Sequence, residues 1–152
     1  MRAAMSRKIL ADTNILIDIA QPDRPGHAAG LMLLDEVAYH EVELCVASSS
    51  LKDVYYILCK CSAETNARHY ITQAIDVFTV LPVDESVCKI AANSDEPDFE
   101  DGIIRACAEL AKVDFILSRD QAAFSKSPIK RLNAQDYLDL FCNVKTVELT
   151  SE

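Results

Sequence analysis

Two rhythms of apolar and polar residues alternate along this chain. Short apolar runs of strand length stand at 8–13 (KILADT), 43–48 (ELCVAS), 77–83 (VFTVLPV) and 113–118 (VDFILS), with a shorter fifth candidate at 129–132. Between them apolar residues return every three or four positions, the spacing of one helix face. That spacing predicts a short helix over 14–20, followed by a turn at Pro22 and Pro25. It predicts helices over 26–40 on Ala28, Leu31, Leu34 and Ala38, and over 50–60 on Val54, Ile57, Leu58 and Cys61. A helix over 63–78 turns in Ala67, Tyr70, Ile71, Ala74 and Phe78, and a short one over 84–93 turns in Val87, Ile90 and Ala91. Another, opened by Pro97 and Asp98, runs to about 112 on Ile104, Cys107, Ala108 and Ala111, and a last one covers 134–140. Ser48, Ser49 and Ser50 are candidate caps for the helix that follows them. Strands alternating with helices imply parallel pairing. The expected fold is therefore α/β, a doubly wound parallel sheet of four to five strands flanked by helices.

The 152 residues contain no repeat, low-complexity tract or linker-like stretch. One domain over 1–152 is expected, with its core at about 8–141 and loose termini. The opening MRAAMSRK is charged without an apolar stretch, so it does not read as a secretory signal, and no apolar run reaches membrane-spanning length. The six cysteines form no C-x-x-C pair and no histidine stands at zinc-finger spacing, so they are expected as reduced, buried core residues. A cytoplasmic protein without a membrane partner is the expectation. Only three glycines occur, and neither a GxxxxGK[ST] loop nor a GxGxxG string is present. His27, His40 and His69 make no metal pattern, and GxSxG, the signature of a serine hydrolase elbow, is absent.

Four acids break the apolar pattern. Asp12 closes the first strand, and Asp120 follows the fourth. Asp53 lies one turn before Ile57, and Asp101 lies at the head of the stripe that begins at Ile104. In a doubly wound sheet the ligand crevice lies at the carboxyl ends of the strands, which is where Asp12 and Asp120 fall. If all four converge, their charges repel: two unit charges about 4 Å apart cost roughly 4 kcal/mol at an effective dielectric of about 20. A divalent cation removes that cost, and carboxylate oxygens suit Mg²⁺ or Mn²⁺. Plainer readings stand beside this one. Asp12 could only cap a helix, Asp53 could form a capping box with Ser50, and Asp120 could be a turn residue or pair with Arg119. Asp98 reads as an N-cap, and Glu100 as favourable charge on a helix start. Asn14 and Ser118 are candidate donors that would orient carboxylates or water.

The net charge of −9 sits awkwardly with a nucleic-acid partner. Arg105, Lys112, Arg119, Lys126, Lys130 and Arg131 are either a basic rim near the acids or scattered surface charges.

In their order and spacing, ILADTNILID, VASSSLKDVYYIL, PDFEDGIIRACAELAKVDFILSRD and the AAF at 122–124 resemble the PIN-domain family, in particular VapC-type toxin ribonucleases. The resemblance implies acids gathered at the carboxyl edge of a parallel sheet. It gives Asp12, Asp53, Asp101 and Asp120 catalytic roles, with Asp12, Asp101 and Asp120 on the metal. Asn14, Asp98, Ser118 and Arg119 would support them, Arg119 either touching phosphate or pairing within the acid cluster. The second acid of the family is commonly Glu, so Asp53 shortens that arm by one methylene. The implied activity is Mg²⁺- or Mn²⁺-dependent endoribonuclease cleavage of RNA by the toxin of a toxin–antitoxin pair, with an antitoxin partner and a homodimer. A catalytically weak or inactive PIN-like interaction module is the alternative. A receiver-type domain would need an acid pair at the first strand end, and a haloacid-dehalogenase-type phosphatase would need Asp at position 14, where Asn stands.

Overall fold

A computed structural model of the chain describes residues 6–142. Its five strands are β1 (Arg7–Ala11), β2 (Val42–Ala47), β3 (Thr79–Leu81), β4 (Phe115–Leu117) and β5 (Lys130–Leu132). All pair in parallel, in the order β3-β2-β1-β4-β5. This is the expected α/β arrangement. The register sets Ile9 beside Leu44 on one flank of β1 and beside Phe115 on the other. The order of connection reverses between β1 and β4, and the carboxyl ends of these two strands are where such sheets place their ligand crevice.

The strands bury both faces, so their residues sort by alternation. Ile9, Leu44, Val46 and Leu117 join one core, and Leu10, Cys45, Ala47 and Ile116 join the other. The first core is covered by α1 (Thr13–Ala20), α2 (His27–Ala38), α3 (Ser48–Cys61), α4 (Glu64–Val77) and α7 (Ala134–Phe141). The second is covered by α5 (Glu85–Ala92) and α6 (Phe99–Ala111). Among the described residues no helix is long and apolar enough to cross a membrane.

Two junctions position the site. Strand β1 passes to α1 through Asp12 alone, and β2 passes to α3 with no intervening residue. The chain turns from extended backbone, ψ 159° at Asp12, straight into a helix. The first residues of both helices therefore stand at the carboxyl edge of the sheet.

Three expectations are corrected. In α2 the buried residues are Gly30 and Leu33, while Ala28, Leu31 and Ala38 face solvent. The helix is rotated because it crosses α1 at Gly30, where an added Cβ would lie 2.8 Å from Ile19 Cγ1. The serines ahead of α3 do not cap it: Ala47 is the N-cap residue, and Ser48 Oγ instead accepts the Val83 N–H at 3.1 Å. No disulfide joins the six cysteines, but Cys61 is exposed at the end of α3 and only Cys45, Cys107 and Cys142 are buried. The tail after Asn143 lies outside the described residues.

Candidate active site

Asp12 is the N-cap residue of α1 and is 8% exposed. Its Oδ1 accepts the Thr13 N–H at 2.7 Å, and its Oδ2 accepts the hydroxyl of Ser118 at 2.8 Å. Ser118 follows β4, so this bond spans the place where the strand order reverses. Burial pushes the Asp12 carboxyl above its usual range, and the Ser118 and Thr13 donors pull it part of the way back. Capping and placement in the crevice thus coexist in one side chain.

Asp98 is the N-cap of α6, its Oδ1 accepting the Asp101 N–H at 2.8 Å. Asp101 lies in the first turn of that helix and is itself buried at 8% exposure. Its carboxyl is pushed up to about 7 by burial, then by the charges of Asp98, Asp120 and Asp12. Asp120 stands on the exposed loop after β4, where Oδ1 accepts the Ala122 N–H at 2.9 Å and the Ala123 N–H at 3.3 Å. It is a turn residue whose charge also reaches Asp12. Asp12, Asp98, Asp101 and Asp120 therefore share one electrostatic neighbourhood at the carboxyl ends of β1 and β4.

Asp53 stands apart from that group. It is half-buried on the rim of α3 and pairs with Lys52 at 3.5 Å, not with Ser50. Ser50 is buried and sits 2.9 Å from the Thr13 hydroxyl, which lies 3.1 Å from Glu100 Oε1. Glu100 is raised by partial burial, and then by the charges of Asp53, Asp12 and Asp98. It joins Asp53 to the main group of acids. The sequence reads Glu100 as favourable charge on a helix start. Its position directly before Asp101, one residue round from the buried face, was the available signal.

Asn14 is exposed on the first turn of α1, and its neighbour Thr13 is the residue that turns into the pocket. Arg119 does not pair within the acid group. It reaches Asp18 Oδ2 at 3.3 Å, and Asp18, 2% exposed, also takes Arg24 Nε at 2.8 Å. Asp18 passed unnoticed in the sequence because it lies within an apolar run. The six basic residues do not assemble into a rim. Arg105 and Lys126 are engaged by Asp95, Glu96 and Glu109, and Arg119 by Asp18. Arg131 donates to the Ser118 carbonyl at 2.8 Å.

Carboxylate and hydroxyl oxygens alone make up this donor set, the chemistry that Mg²⁺ and Mn²⁺ select. Asp12 and Asp101 are both raised, by burial first and then by neighbouring acid charges, Asp98 and Asp120 among them for each, and a cation relieves that stress. Among the described residues, no three Asp, Glu, His or Cys side chains are already disposed to ligate one ion. The donors fit a hard cation by type and neighbourhood, and ligation would draw the side chains together.

Several solved structures share this fold. VapC20 of Mycobacterium tuberculosis, a Sarcin-Ricin loop cleaving toxin, is 17% identical with a TM-score of 0.65, over 82% of this chain and 98% of that one. A toxin–antitoxin complex from Klebsiella pneumoniae is 19% identical with a TM-score of 0.63, over 83% of this chain and 97% of that one. VapBC2 from Rickettsia felis, bound to a DNA fragment from its promoter, is 12% identical with a TM-score of 0.59, over 83% and 98%. Comparison with curated protein sequences gives no match. The PIN domain family model matches residues 8–122, a span running from β1 through β4 to the loop that carries Asp120. The chain belongs to the PIN domain family.

Proposed function

We propose that the chain is a divalent-metal-dependent endoribonuclease, the toxin of a toxin–antitoxin pair. The observation that carries this reading is the pair of buried carboxylates, Asp12 and Asp101, both raised by the nearby charges of Asp98 and Asp120 at the carboxyl ends of β1 and β4. Asp12, Asp101 and Asp120 would hold Mg²⁺ or Mn²⁺. When bound, the cation supplies charge neutralisation and Lewis acidity toward an RNA phosphodiester. Ser118 fixes the direction of Asp12. Glu100, open to solvent with its carboxyl raised, accepts the proton of the attacking water, and Asp53 borders that approach. Arg119 and Arg131 would serve as phosphate contacts.

The likeness to toxin–antitoxin structures supports an antitoxin partner. A homodimer in the cytoplasm belongs to the same proposal. The test is cleavage of labelled RNA with Mn²⁺, Mg²⁺ or EDTA. Asp12→Asn and Asp101→Asn should each abolish metal-dependent cleavage in a folded protein, and cleavage retained in both would end the assignment.

A second reading, a PIN interaction module that does not cut, is favoured by Asp53. It stands where the resemblance implies Glu, and it sits on the rim paired with Lys52. A wild-type protein that binds Mn²⁺ and leaves every RNA intact would establish that reading.

A further inference from the structure

Asp12 and Asp101 are fixed by their elements, one at a strand–helix joint and one in the first turn of α6. Asp120 has no such support. It stands on the loop 118–129 between β4 and β5 and is exposed. Ser118 Oγ holds the Asp120 N–H at the strand end, and the far side of the loop is held against α6 by a second set of bonds.

The holding group is Glu96, whose side chain is only 3% exposed although it lies in the loop between α5 and α6. Its Oε1 accepts the Phe124 N–H at 2.7 Å, and its Oε2 accepts from Arg105 NH1 at 3.0 Å. Arg105 belongs to α6, one turn beyond Asp101, and its NH2 donates to the Lys126 carbonyl at 3.3 Å. Its Nε is held by Glu109 Oε1 at 3.0 Å, and the same oxygen accepts Ser127 Oγ–H at 3.1 Å. Phe124 is in the left-handed region at φ 67°, a conformation that a side chain other than glycine keeps only under constraint. The buried carboxylate on its N–H constrains it, together with the burial of the Phe124 ring in the second core. Glu96 also stands two residues before Asp98, so one side chain ties together the approach to Asp98, the helix of Asp101 and the loop of Asp120.

We propose that Glu96 and Arg105 are positioning residues for the acid pocket, holding the Asp120 loop against the head of α6 so that Asp120 and Asp101 can share one cation. This rests on the reading of the pocket as a divalent-cation site. Neither residue touches the cation or the substrate. Their effect passes through the placement of Asp120.

The experiment is Mn²⁺ titration calorimetry together with amide hydrogen exchange on the metal-free full chain, for the wild type and four variants. Glu96→Ala should weaken Mn²⁺ by about tenfold or more, the usual cost of losing a group that orients a ligand. It should also strip protection from the Phe124 amide. Glu96→Gln keeps an acceptor for that N–H and should recover most of the affinity. Arg105→Lys, a milder change that cannot span Glu96 and the Lys126 carbonyl together, should give an intermediate loss. Arg7→Gln is the control for general destabilisation. It breaks the bond to Tyr137 OH, 2.9 Å long and on α7, and should leave Mn²⁺ affinity intact. Wild-type affinity in folded Glu96→Ala and Arg105→Lys would overturn the proposal, as would an equal loss in Arg7→Gln. A wild-type chain that binds no Mn²⁺ removes the functional reading instead. The tether is then judged by exchange alone, and persisting Phe124 protection in Glu96→Ala overturns it.

Discussion

Ser118 Oγ donates to Asp12 Oδ2 at 2.8 Å and at the same time accepts the Asp120 N–H at 3.1 Å. One buried hydroxyl thus couples the acid after β1 to the backbone of the acid after β4. Replacing it with Ala leaves a buried carboxylate oxygen short of its donor. A bond to a charged group contributes about 1.5–3 kcal/mol, so Ser118→Ala should lower stability by roughly that amount. Urea unfolding at pH 8 measures it, and the loss should shrink in acid as Asp12 takes up a proton.

Asp101 makes the metal-free protein's stability depend on pH. Its ordinary value of 3.8 rises to about 7 in the fold, so the folded state holds this proton more tightly than the unfolded chain. Stability from this group is complete below pH 3.8 and is lost as pH rises through about 7. Urea midpoints in EDTA should show that decline for the wild type and a shallower one for Asp101→Asn. The same linkage makes Mn²⁺ binding at pH 6.5 release a proton, readable by calorimetry in two buffers of different ionisation enthalpy.

Glu100 and Asp53 are separable by kinetics. Glu100 reaches the Thr13 hydroxyl beside Asp12, whereas Asp53 is held at the rim by Lys52. In single-turnover RNA cleavage, Glu100→Gln should slow the reaction by roughly 10²-fold, the lower end of general-base effects. Asp53→Asn should slow it less. The opposite ranking would give the proton-accepting role to Asp53.

Gly26 allows the buried Asp18 carboxylate to lie against the chain, because a Cβ there would fall 2.2 Å from Asp18 Oδ2. Gly26→Ala should displace that carboxylate from Arg24 and Arg119 and destabilise the fold by about 1–3 kcal/mol, as overpacking does. Thermal unfolding measures the loss. Asp18→Asn, which keeps the volume and removes the charge, separates the steric effect from the electrostatic one.

Strand and helix order were legible because both periodicities are strong in this chain. Buried strands such as ELCVAS and stripes such as Ile104, Cys107 and Ala108 leave little choice of element. The phase of α2 was not legible. Its apolar residues surround the helix, and a glycine contact with Ile19 decides which side turns inward. The acids at strand ends could be read from the position of the strand. Glu100 and Asp53 could not be ranked, because which one reaches Thr13 depends on how α3 and α6 meet at the sheet edge. Asp18 and Glu96 are buried acids whose arginine partners are distant or lie around a turn, and no local spacing marks such pairs.

The passage from β1 to α1 through a single residue has a consequence for descent. Deleting or adding one residue there would swing the helix by about 100°, carrying Thr13 from the crevice to the water. Strand and helix are locked in phase at this joint. Changes of length accumulated over generations are barred from the place that carries the first acid, and must be absorbed elsewhere in the molecule.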